Sequence, residues 1–312
     1  MRIEFNGSRD YVTSEIKKLM TDVELIFSKN YIEIKNFDKG YVYNFLPKIE
    51  NIRGVIRVLM KNDELLPLCY SFKATENINK NIPIIIAGPC VIYSWDDFLE
   101  TAKELEQLNV YALRTPLFKP RSSPYGWDGY GKEGISRLKE IKKSIRTPFI
   151  MEIIDYRLID SVSEVCDIIQ IGARNMRNYA LLKEAAKSNK AVLLKREPRS
   201  NFREFLYSAE YLLKYSCRNI ILCERGDNLS DDVASIDTRM IKKIKKETDI
   251  PVIADVSHSA KRRDRVMSFV KKTIKYSDGI MIETSINPDA SPIDTKQIVD
   301  IDEFKKILKI IR

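Results

Sequence analysis

The chain has 312 residues, enough for a large hydrophobic core or for one large and one small domain. Its 12 Phe and 15 Tyr exclude low-complexity disorder, and no apolar run approaches the roughly 20 residues of a membrane span. The N-terminal segment has no apolar signal core and the 5 Cys include no C-x-x-C pair, so we expect a cytoplasmic protein without a disulfide framework. The net charge of +9 is spread along the chain, which favours a Lys-rich surface over nucleic-acid binding.

The first 80 residues alternate short apolar runs with two helical stretches, in the order β-α-β-β-α-β. This order is typical of a ferredoxin-like α+β domain. In chain order the segments are RIEF, SEIKKLM, VELIFS, YIEIKN, VYNFLPKIENI and GVIRVLMK. A polar, Asn-rich segment then leads to Pro83. We therefore predict a small domain over residues 1–72, a linker over 73–81 and a second domain over 82–312.

A regular alternation of apolar runs and amphipathic stretches begins at residue 82. The eight runs are IPIIIAGPC (82–90), YALRTP (111–116), PFIMEII (148–154), DIIQIGA (167–173), AVLLKR (191–196), NIILCERG (219–226), PVIADVSH (251–258) and GIMIETS (279–285). Ser94, with Asp97 three residues later, is typical of a helix N-cap after the first run. Near-continuous apolar strands indicate a parallel sheet covered on both faces. The pattern predicts a (β/α)8 TIM barrel, with a doubly wound open sheet as the alternative.

All eight runs end in polar or reactive side chains. These are Cys90, Arg114, Glu152, Gln170 with Arg174, Lys195, Glu224 with Arg225, Asp255 with His258, and Glu283. In a (β/α)8 barrel the C-terminal ends of the strands meet at one rim, where the chemistry of such barrels occurs. We therefore expect these side chains to converge on one cavity.

The polar residues form two chemical sets. One set contains cations that suit phosphate and carboxylate, namely Arg114, Lys119, Arg121, Arg174, Lys195 and Arg225. So many cations exceed what one phosphate needs, which indicates two anionic substrates or one with several anionic groups. The other set combines a thiol, an imidazole and two carboxylates, namely Cys90, His258, Glu283 and Asp294. Such donors suit a divalent metal that acts as a Lewis acid.

Seven motifs in register resemble the 3-deoxy-D-arabino-heptulosonate-7-phosphate (DAHP) synthases, in the class with an N-terminal ferredoxin-like regulatory domain. They are IIIAGPC, FKPRSSP, IIQIGARN, LLKR, ILCERG, DVSHSAKRRD and, after Glu283, DTKQ. They span about residues 82 to 311, and the first 80 residues match more loosely. The resemblance implies a metal-dependent condensation of phosphoenolpyruvate with erythrose 4-phosphate and water. The products are DAHP and phosphate, in the first step of the shikimate pathway to the aromatic amino acids.

The resemblance also implies residue roles, position by position. The ligands of one divalent ion (Mn, Fe, Co or Zn) fall on Cys90, His258, Glu283 and Asp294. The phosphoenolpyruvate contacts fall on Arg114, Lys119, Arg174, Lys195 and Arg225, with Glu152 and Glu224 nearby, and Glu224 is counted among the substrate-binding residues. The erythrose 4-phosphate contacts fall on Lys119, Pro120, Arg121, Ser122 and Asp294. The catalytic set is Cys90, Lys119, Glu152, Lys195 and His258.

Lys119 is the expected proton donor of this reaction. Carbon 3 of phosphoenolpyruvate attacks the aldehyde carbon, and in our hypothesis Lys119 donates a proton to the developing alkoxide. We expect crowding by neighbouring cations to lower the pKa of Lys119.

Three short segments depart from the family pattern. Glu197 and Pro198 follow Arg196 where the family usually reads LKRG. Ala260 and Lys261 replace two Gly of the SHSGGRRD pattern. Thr115 and Pro116 stand where close relatives carry Gly. None of these departures removes an expected ligand or cation, so they bear on loop shape and erythrose 4-phosphate affinity.

Two other functions fit the same fold. The sister enzyme 3-deoxy-D-manno-octulosonate-8-phosphate synthase typically reads Lys-Ala-Asn-Arg where this chain has residues 119–122, KPRS, which favours the four-carbon sugar. A non-catalytic metabolite sensor would be expected to lose its metal ligands, and all four are present. By resemblance the N-terminal domain binds Tyr or Phe as an inhibitor and the protein is a tetramer. The alternative for that domain is a role in oligomer contacts alone.

Overall fold

A computed structural model describes residues 1–37, 45–60, 66–74, 82–119, 121, 123, 125–227 and 235–312. The chain divides into two compact units, Met1–Phe72 and Lys73–Arg312. The expected substrate contacts Pro120 and Ser122 lie outside the described residues, as does most of the predicted linker. None of the described helices is long and apolar enough to cross a membrane.

The first unit is a four-stranded antiparallel sheet in the order β2-β3-β1-β4, with helices between the strands. The described elements are β1 (Arg2–Phe5), α1 (Arg9–Leu19), β2 (Glu24–Phe27), β3 (Tyr31–Lys35), α2 (Leu46–Glu50), β4 (Val55–Leu59) and α3 (Pro67–Ser71). This arrangement confirms the predicted ferredoxin-like unit. Helix α1 begins earlier than expected because Ser8 caps it, its hydroxyl accepting from the Tyr11 N–H. Helix α3 was not predicted.

The second unit is a closed barrel formed by eight of the described strands, all of them parallel. The strands are β5 (Ile84–Gly88), β6 (Ala112–Arg114), β7 (Phe149–Glu152), β8 (Ile168–Ile171), β9 (Ala191–Lys195), β10 (Ile220–Glu224), β11 (Val252–Asp255) and β12 (Gly279–Glu283). Strand β12 pairs with β5 and closes the ring. The predicted (β/α)8 barrel is confirmed, and each strand lies within its predicted apolar run.

Helices follow the barrel strands. They are α4 (Trp95–Gln107), α5 (Gly134–Lys142), α6 (Ile159–Ser163), α7 (Tyr179–Lys187), α8 (Phe202–Lys214), α9 (Thr238–Glu247), α10 (Val256–Ala260), α11 (Arg263–Thr273) and α12 (Ile301–Ile311). Ser94 caps α4 as expected, accepting from the Asp97 N–H at 3.2 Å. Asn201 and Glu204 form a reciprocal capping box at α8. Caps of this kind fix the residue at which each helix begins.

Every second residue of the strands points into the barrel, because side chains alternate between the two faces of a β-strand. The buried interior cluster contains Ile84, Ile86, Ala112, Ile150, Ile168, Leu193, Ile221, Cys223, Ile253 and Met281. The residues between these face the surrounding helices. The alternation decides which polar residues at the strand ends reach the mouth of the barrel.

Candidate active site

The polar residues at the barrel mouth continue the inward positions of the strands. On each strand from β6 to β12, the second residue after the last interior residue is polar. In strand order these residues are Arg114, Glu152, Gln170, Lys195, Arg225, Asp255 and Glu283. On β5 the same alternation passes through Gly88 to Cys90. The convergence predicted from the sequence therefore follows from alternation along the strands.

Two adjoining cavities lie at this end of the barrel. The outer one has a volume of about 870 Å³ and is lined by cations, among them Lys119, Arg121, Arg174, Lys195, Arg199 and Arg225. The inner one, of about 30 Å³, is lined by Cys90, Arg114, Gln170 and other residues. Lys119, Glu152, Lys195 and His258 line both cavities. The excess of cations suits ligands that carry phosphate and carboxylate groups.

Three of the four expected metal ligands form one tight group. The ligand atoms of Cys90, Glu283 and Asp294 all lie within 4.8 Å of one another. The fourth, His258, lies beside this group with Nε2 3.6 Å from Glu283 Oε1. Asp294 has a left-handed backbone, with φ 56° and ψ 22°. Asp tolerates this conformation better than most residues.

These donors fit a divalent metal ion. The oxygen Oε1 of Glu283 is buried and accepts no hydrogen bond from the described residues, although Arg114 Nη2 forms an ion pair with it at 3.0 Å. The other oxygen, Oε2, accepts from Gln297 Nε2 at 2.7 Å, which fixes the carboxylate plane. Burial, and secondly the charge of Glu283, raise the pKa of the Cys90 thiol well above its usual range. A bound divalent ion would favour the thiolate instead.

Lys119 lies against two of the expected metal ligands. Its ammonium group donates to Cys90 Sγ at 2.6 Å and to Asp294 Oδ2 at 3.2 Å. Burial alone would lower the pKa of Lys119, but its interactions with Cys90 and with the carboxylates of Glu283 and Asp294 outweigh burial and raise that pKa. The expectation of a lowered pKa was therefore wrong, because the charges nearest to Lys119 are negative.

Asp255 was expected at the barrel mouth without a role of its own, and it connects two expected catalytic residues. Its carboxylate accepts from Lys195 Nζ at 2.6 Å and lies 2.9 Å from His258 Nδ1. It also caps the short helix α10 by accepting from the His258 N–H at 3.1 Å. Burial opposes ionisation, but His258 and Lys195 hold the pKa of Asp255 well below its usual range. With Nδ1 facing Asp255, the Nε2 atom of His258 is oriented toward Glu283.

Glu152 is held by the neighbouring strand. Its Oε2 atom accepts from Gln170 Nε2 at 2.9 Å. A Cβ atom added at Gly172 would lie 1.9 Å from Glu152 Oε1, so any other residue at position 172 would displace the Glu152 carboxylate. The buried Nη1 atom of Arg114 has no hydrogen-bond partner among the described residues. It can donate to a ligand group that reaches the inner cavity.

Glu224 occupies a different place from the one expected. Its side chain is fully buried, lines neither cavity and lies against Arg196, with Arg196 Nη2 donating to Glu224 Oε1 at 3.1 Å. Glu224 precedes Arg225, so the two side chains lie on opposite faces of the strand. The alternation along β10 is the sequence signal that distinguishes them.

Each departure from the family pattern has a specific place in the structure. Lys261 has a left-handed φ of 59° at the end of α10, a conformation that normally favours Gly. Thr115 is buried and donates to the Ile150 carbonyl at 3.0 Å. Glu197 lines the outer cavity and pairs with Arg177 at 2.9 Å.

Residues 70–312 match the model of the DAHP synthetase I family. The chain therefore belongs to this family, which confirms the resemblance seen in its motifs. It is 38% identical over 228 residues to the phospho-2-dehydro-3-deoxyheptonate aldolase of Thermotoga maritima, covering 72% of this chain and 68% of that protein. It is 29% identical over 246 residues to the 2-dehydro-3-deoxyphosphooctonate aldolase of Fusobacterium nucleatum, covering 73% and 88%. The crystal structure of Thermotoga maritima DAHP synthase superposes with a TM-score of 0.73 at 29% identity, over 99% of this chain and 94% of that chain.

Proposed function

We propose that this chain is a DAHP synthase that condenses phosphoenolpyruvate with erythrose 4-phosphate and water to give DAHP and phosphate. Membership of the family supports the reaction, and the octulosonate relative is the more distant of the two compared, at 29% against 38% identity. The observation that carries the proposal is the convergence of cations with a thiol, an imidazole and two carboxylates at one barrel mouth. A sensor that only bound a metabolite would not need this combination.

The cations of the two cavities are proposed to bind and orient the substrates. Arg114 and Lys195 reach the inner part of the site, while Arg174 and Arg225 line the outer cavity, so together they can hold both anionic groups of phosphoenolpyruvate. Arg121 lines the outer cavity as well and is assigned to the phosphate of erythrose 4-phosphate, together with Pro120 and Ser122. Holding two reactants in an attack geometry provides a large part of the rate gain.

The bond forms between carbon 3 of phosphoenolpyruvate and the aldehyde carbon of erythrose 4-phosphate. Negative charge then develops on the aldehyde oxygen and positive charge on carbon 2, to which water adds before phosphate leaves. Lys119, which lines both cavities, is the cation proposed to stabilise the developing alkoxide and to donate to it. Glu152 lines both cavities and accepts a hydrogen bond from Gln170, and it is proposed to orient the water that adds to carbon 2.

A divalent metal is proposed to be held by Cys90, His258, Glu283 and Asp294. When bound, it supplies Lewis-acid polarisation of a carbonyl oxygen. The mixture of soft and hard donors accepts Mn, Fe, Co or Zn, so the native ion has to be determined by elemental analysis of protein purified without added metal.

The test is phosphate release from phosphoenolpyruvate by chelator-treated protein, with and without added Mn²⁺. Erythrose 4-phosphate and arabinose 5-phosphate are supplied in parallel. We expect metal-dependent release with the four-carbon sugar. A preference for the five-carbon sugar would assign the chain to the sister reaction, and no release from folded, metal-binding protein would favour the sensor.

The N-terminal unit is proposed to be regulatory. It is a ferredoxin-like unit separate from the barrel, and the similarity to Thermotoga maritima DAHP synthase extends over 99% of this chain, which includes it. We propose that it binds Tyr or Phe as a feedback inhibitor and that the protein is a tetramer. Light scattering of the purified protein tests the tetramer.

A further inference from the structure

Two charged residues next to the substrate-binding cations point away from the cavity. Lys195 and Arg225 line the outer cavity, whereas Arg196 and Glu224, their neighbours in the chain, do not. The side chain of Arg196 is 2% exposed and that of Glu224 is 0% exposed. A charged pair so completely removed from water needs a structural or functional reason, because its desolvation is costly.

The pair is the centre of a satisfied network. Arg196 Nε and Nη2 both donate to the Glu224 carboxylate, and Nη2 also donates to Asp227 Oδ1 at 2.8 Å. Arg196 Nη1 donates to the Ser200 carbonyl at 3.0 Å. Glu224 Oε1 accepts from the backbone N–H groups of Gly226 at 2.7 Å and Asp237 at 3.2 Å. The network thus joins the end of β9, the loop after it, the end of β10 and the start of α9.

The network is attached directly beside three cations of the cavity. Arg196 follows Lys195, and Glu224 precedes Arg225. Asp227 Oδ1 also accepts from the backbone N–H of Arg199 at 2.7 Å, and Arg199 lines the outer cavity in a left-handed conformation with φ 66°. Arg196 and Glu224 are joined to Lys195 and Arg225 by peptide bonds, and Asp227 is joined to Arg199 by a hydrogen bond. A shift of the buried pair would therefore move the backbone of these cavity residues.

We infer that Arg196, Glu224 and Asp227 are positioning residues that hold Lys195 and Arg225 in the geometry required to bind phosphoenolpyruvate. The inference rests on the proposed function and changes the role expected for Glu224, from a substrate contact to a residue that acts through its neighbours. The fork of Arg196 suits this task, because its planar guanidinium binds a carboxylate in a fixed orientation.

The test compares the variants Glu224→Gln and Asp227→Asn with the wild type. Gln keeps the size and one acceptor oxygen of Glu224 but loses its charge. Asp227 is 31% exposed, so Asp227→Asn is the milder change and serves if Glu224→Gln does not fold. The dissociation constant of phosphoenolpyruvate is measured by calorimetry without the sugar phosphate. KM for both substrates and Tm are measured alongside.

Asp278→Asn serves as the matched control. Asp278 also accepts a backbone N–H, from Val252 at 2.8 Å, and pairs with Lys245, but it lies at the opposite end of the barrel. We expect the network variants to raise the dissociation constant and KM of phosphoenolpyruvate about tenfold, since small displacements in an active site have large effects. KM for erythrose 4-phosphate should stay within about twofold of the wild type, and Asp278→Asn should lower Tm alone.

Two results would overturn the inference. One is a fall in Tm of the network variants with the affinity for phosphoenolpyruvate unchanged, and the other is an equal loss of that affinity in Asp278→Asn. A wild-type protein that neither binds phosphoenolpyruvate nor releases phosphate from it contradicts the proposed function itself. That outcome is read from the wild type alone, so the two failures are distinguishable.

Discussion

Lys195 and Asp255 lie on barrel strands separated by one other strand, yet Lys195 Nζ donates to Asp255 Oδ2 at 2.6 Å. Arg114 and Glu283 are related in the same way, on β6 and β12 with β5 between them, and lie 3.0 Å apart. In a (β/α)8 barrel, side chains from alternate strands meet in one layer. Each of the two alternate-strand layers at the mouth therefore contains a pair of opposite charges, and both Arg114 and Lys195 are held by a buried carboxylate.

The carboxylate of Asp255 should be required for metal binding although it is not an expected ligand. Asp255→Asn removes the charge that faces His258 Nδ1, so we expect metal affinity to fall by roughly 10–100-fold. Titration of chelator-treated protein with Mn²⁺ measures this directly. Asp264→Asn is the control, because Asp264 is an exposed partner of Arg262. Equal metal affinity in Asp255→Asn and wild type would show that His258 needs no such orientation.

Cys90 should determine which metals bind well. Cys90→Ser replaces a soft sulfur donor by a harder oxygen, so affinity for Zn²⁺ and Co²⁺ should fall more than affinity for Mn²⁺. Loading with Co²⁺ provides a second readout, because the thiolate-to-cobalt charge-transfer absorption should disappear in this variant. Cys217→Ser is the control. The buried Cys217 thiol donates a hydrogen bond to the Asn219 carbonyl and belongs to no metal-ligand group among the described residues. An unchanged cobalt spectrum would exclude Cys90 as a ligand.

Lys119 should be needed for turnover more than for stability. Lys119→Met keeps most of the side chain but removes the charge beside Cys90 and Asp294, and we expect kcat to fall by roughly 10²–10⁴-fold. Steady-state phosphate release at saturating substrates measures this. Lys139→Met removes an exposed partner of Glu164 and should leave kcat unchanged. Near-normal turnover in Lys119→Met would exclude the proposed role.

The barrel was predictable because each strand is buried on both faces, and such a strand consists of a nearly continuous run of apolar residues. The start of α4 was also predicted, since Ser94 marks it as a cap. Asn178, Asn201 and Asp237 are local signals of the same kind at the starts of α7, α8 and α9. The cations at the mouth followed from their position after each run. Local sequence signals were sufficient for all of these features.

The errors arose where the outcome depends on which face a residue occupies or on distant neighbours. Glu224 and Arg225 both end the run on β10, and only alternation from Cys223 assigns Arg225 to the cavity. The pKa of Lys119 depends on Cys90, Glu283 and Asp294, which come from three separate segments. No local pattern around Lys119 reports the sign of those charges, so the pKa direction required the three-dimensional arrangement.

Removal of residues 1–72 should separate regulation from catalysis. The barrel unit contains every described residue assigned to the active site, so the shortened chain should retain metal-dependent phosphate release. If the N-terminal unit holds the effector site, the shortened chain should no longer be inhibited by Tyr or Phe. Dose–response curves for both amino acids, measured on the two chains at equal saturation with substrate, test this.

The other outcomes of the same experiment assign the N-terminal unit differently. Inhibition that survives the deletion would place the effector site in the barrel unit. If neither chain is inhibited by Tyr or Phe, light scattering of both chains decides whether the unit serves oligomer contacts alone. In that case the full chain would form a larger assembly than the shortened one, because only the full chain would keep the contact surface.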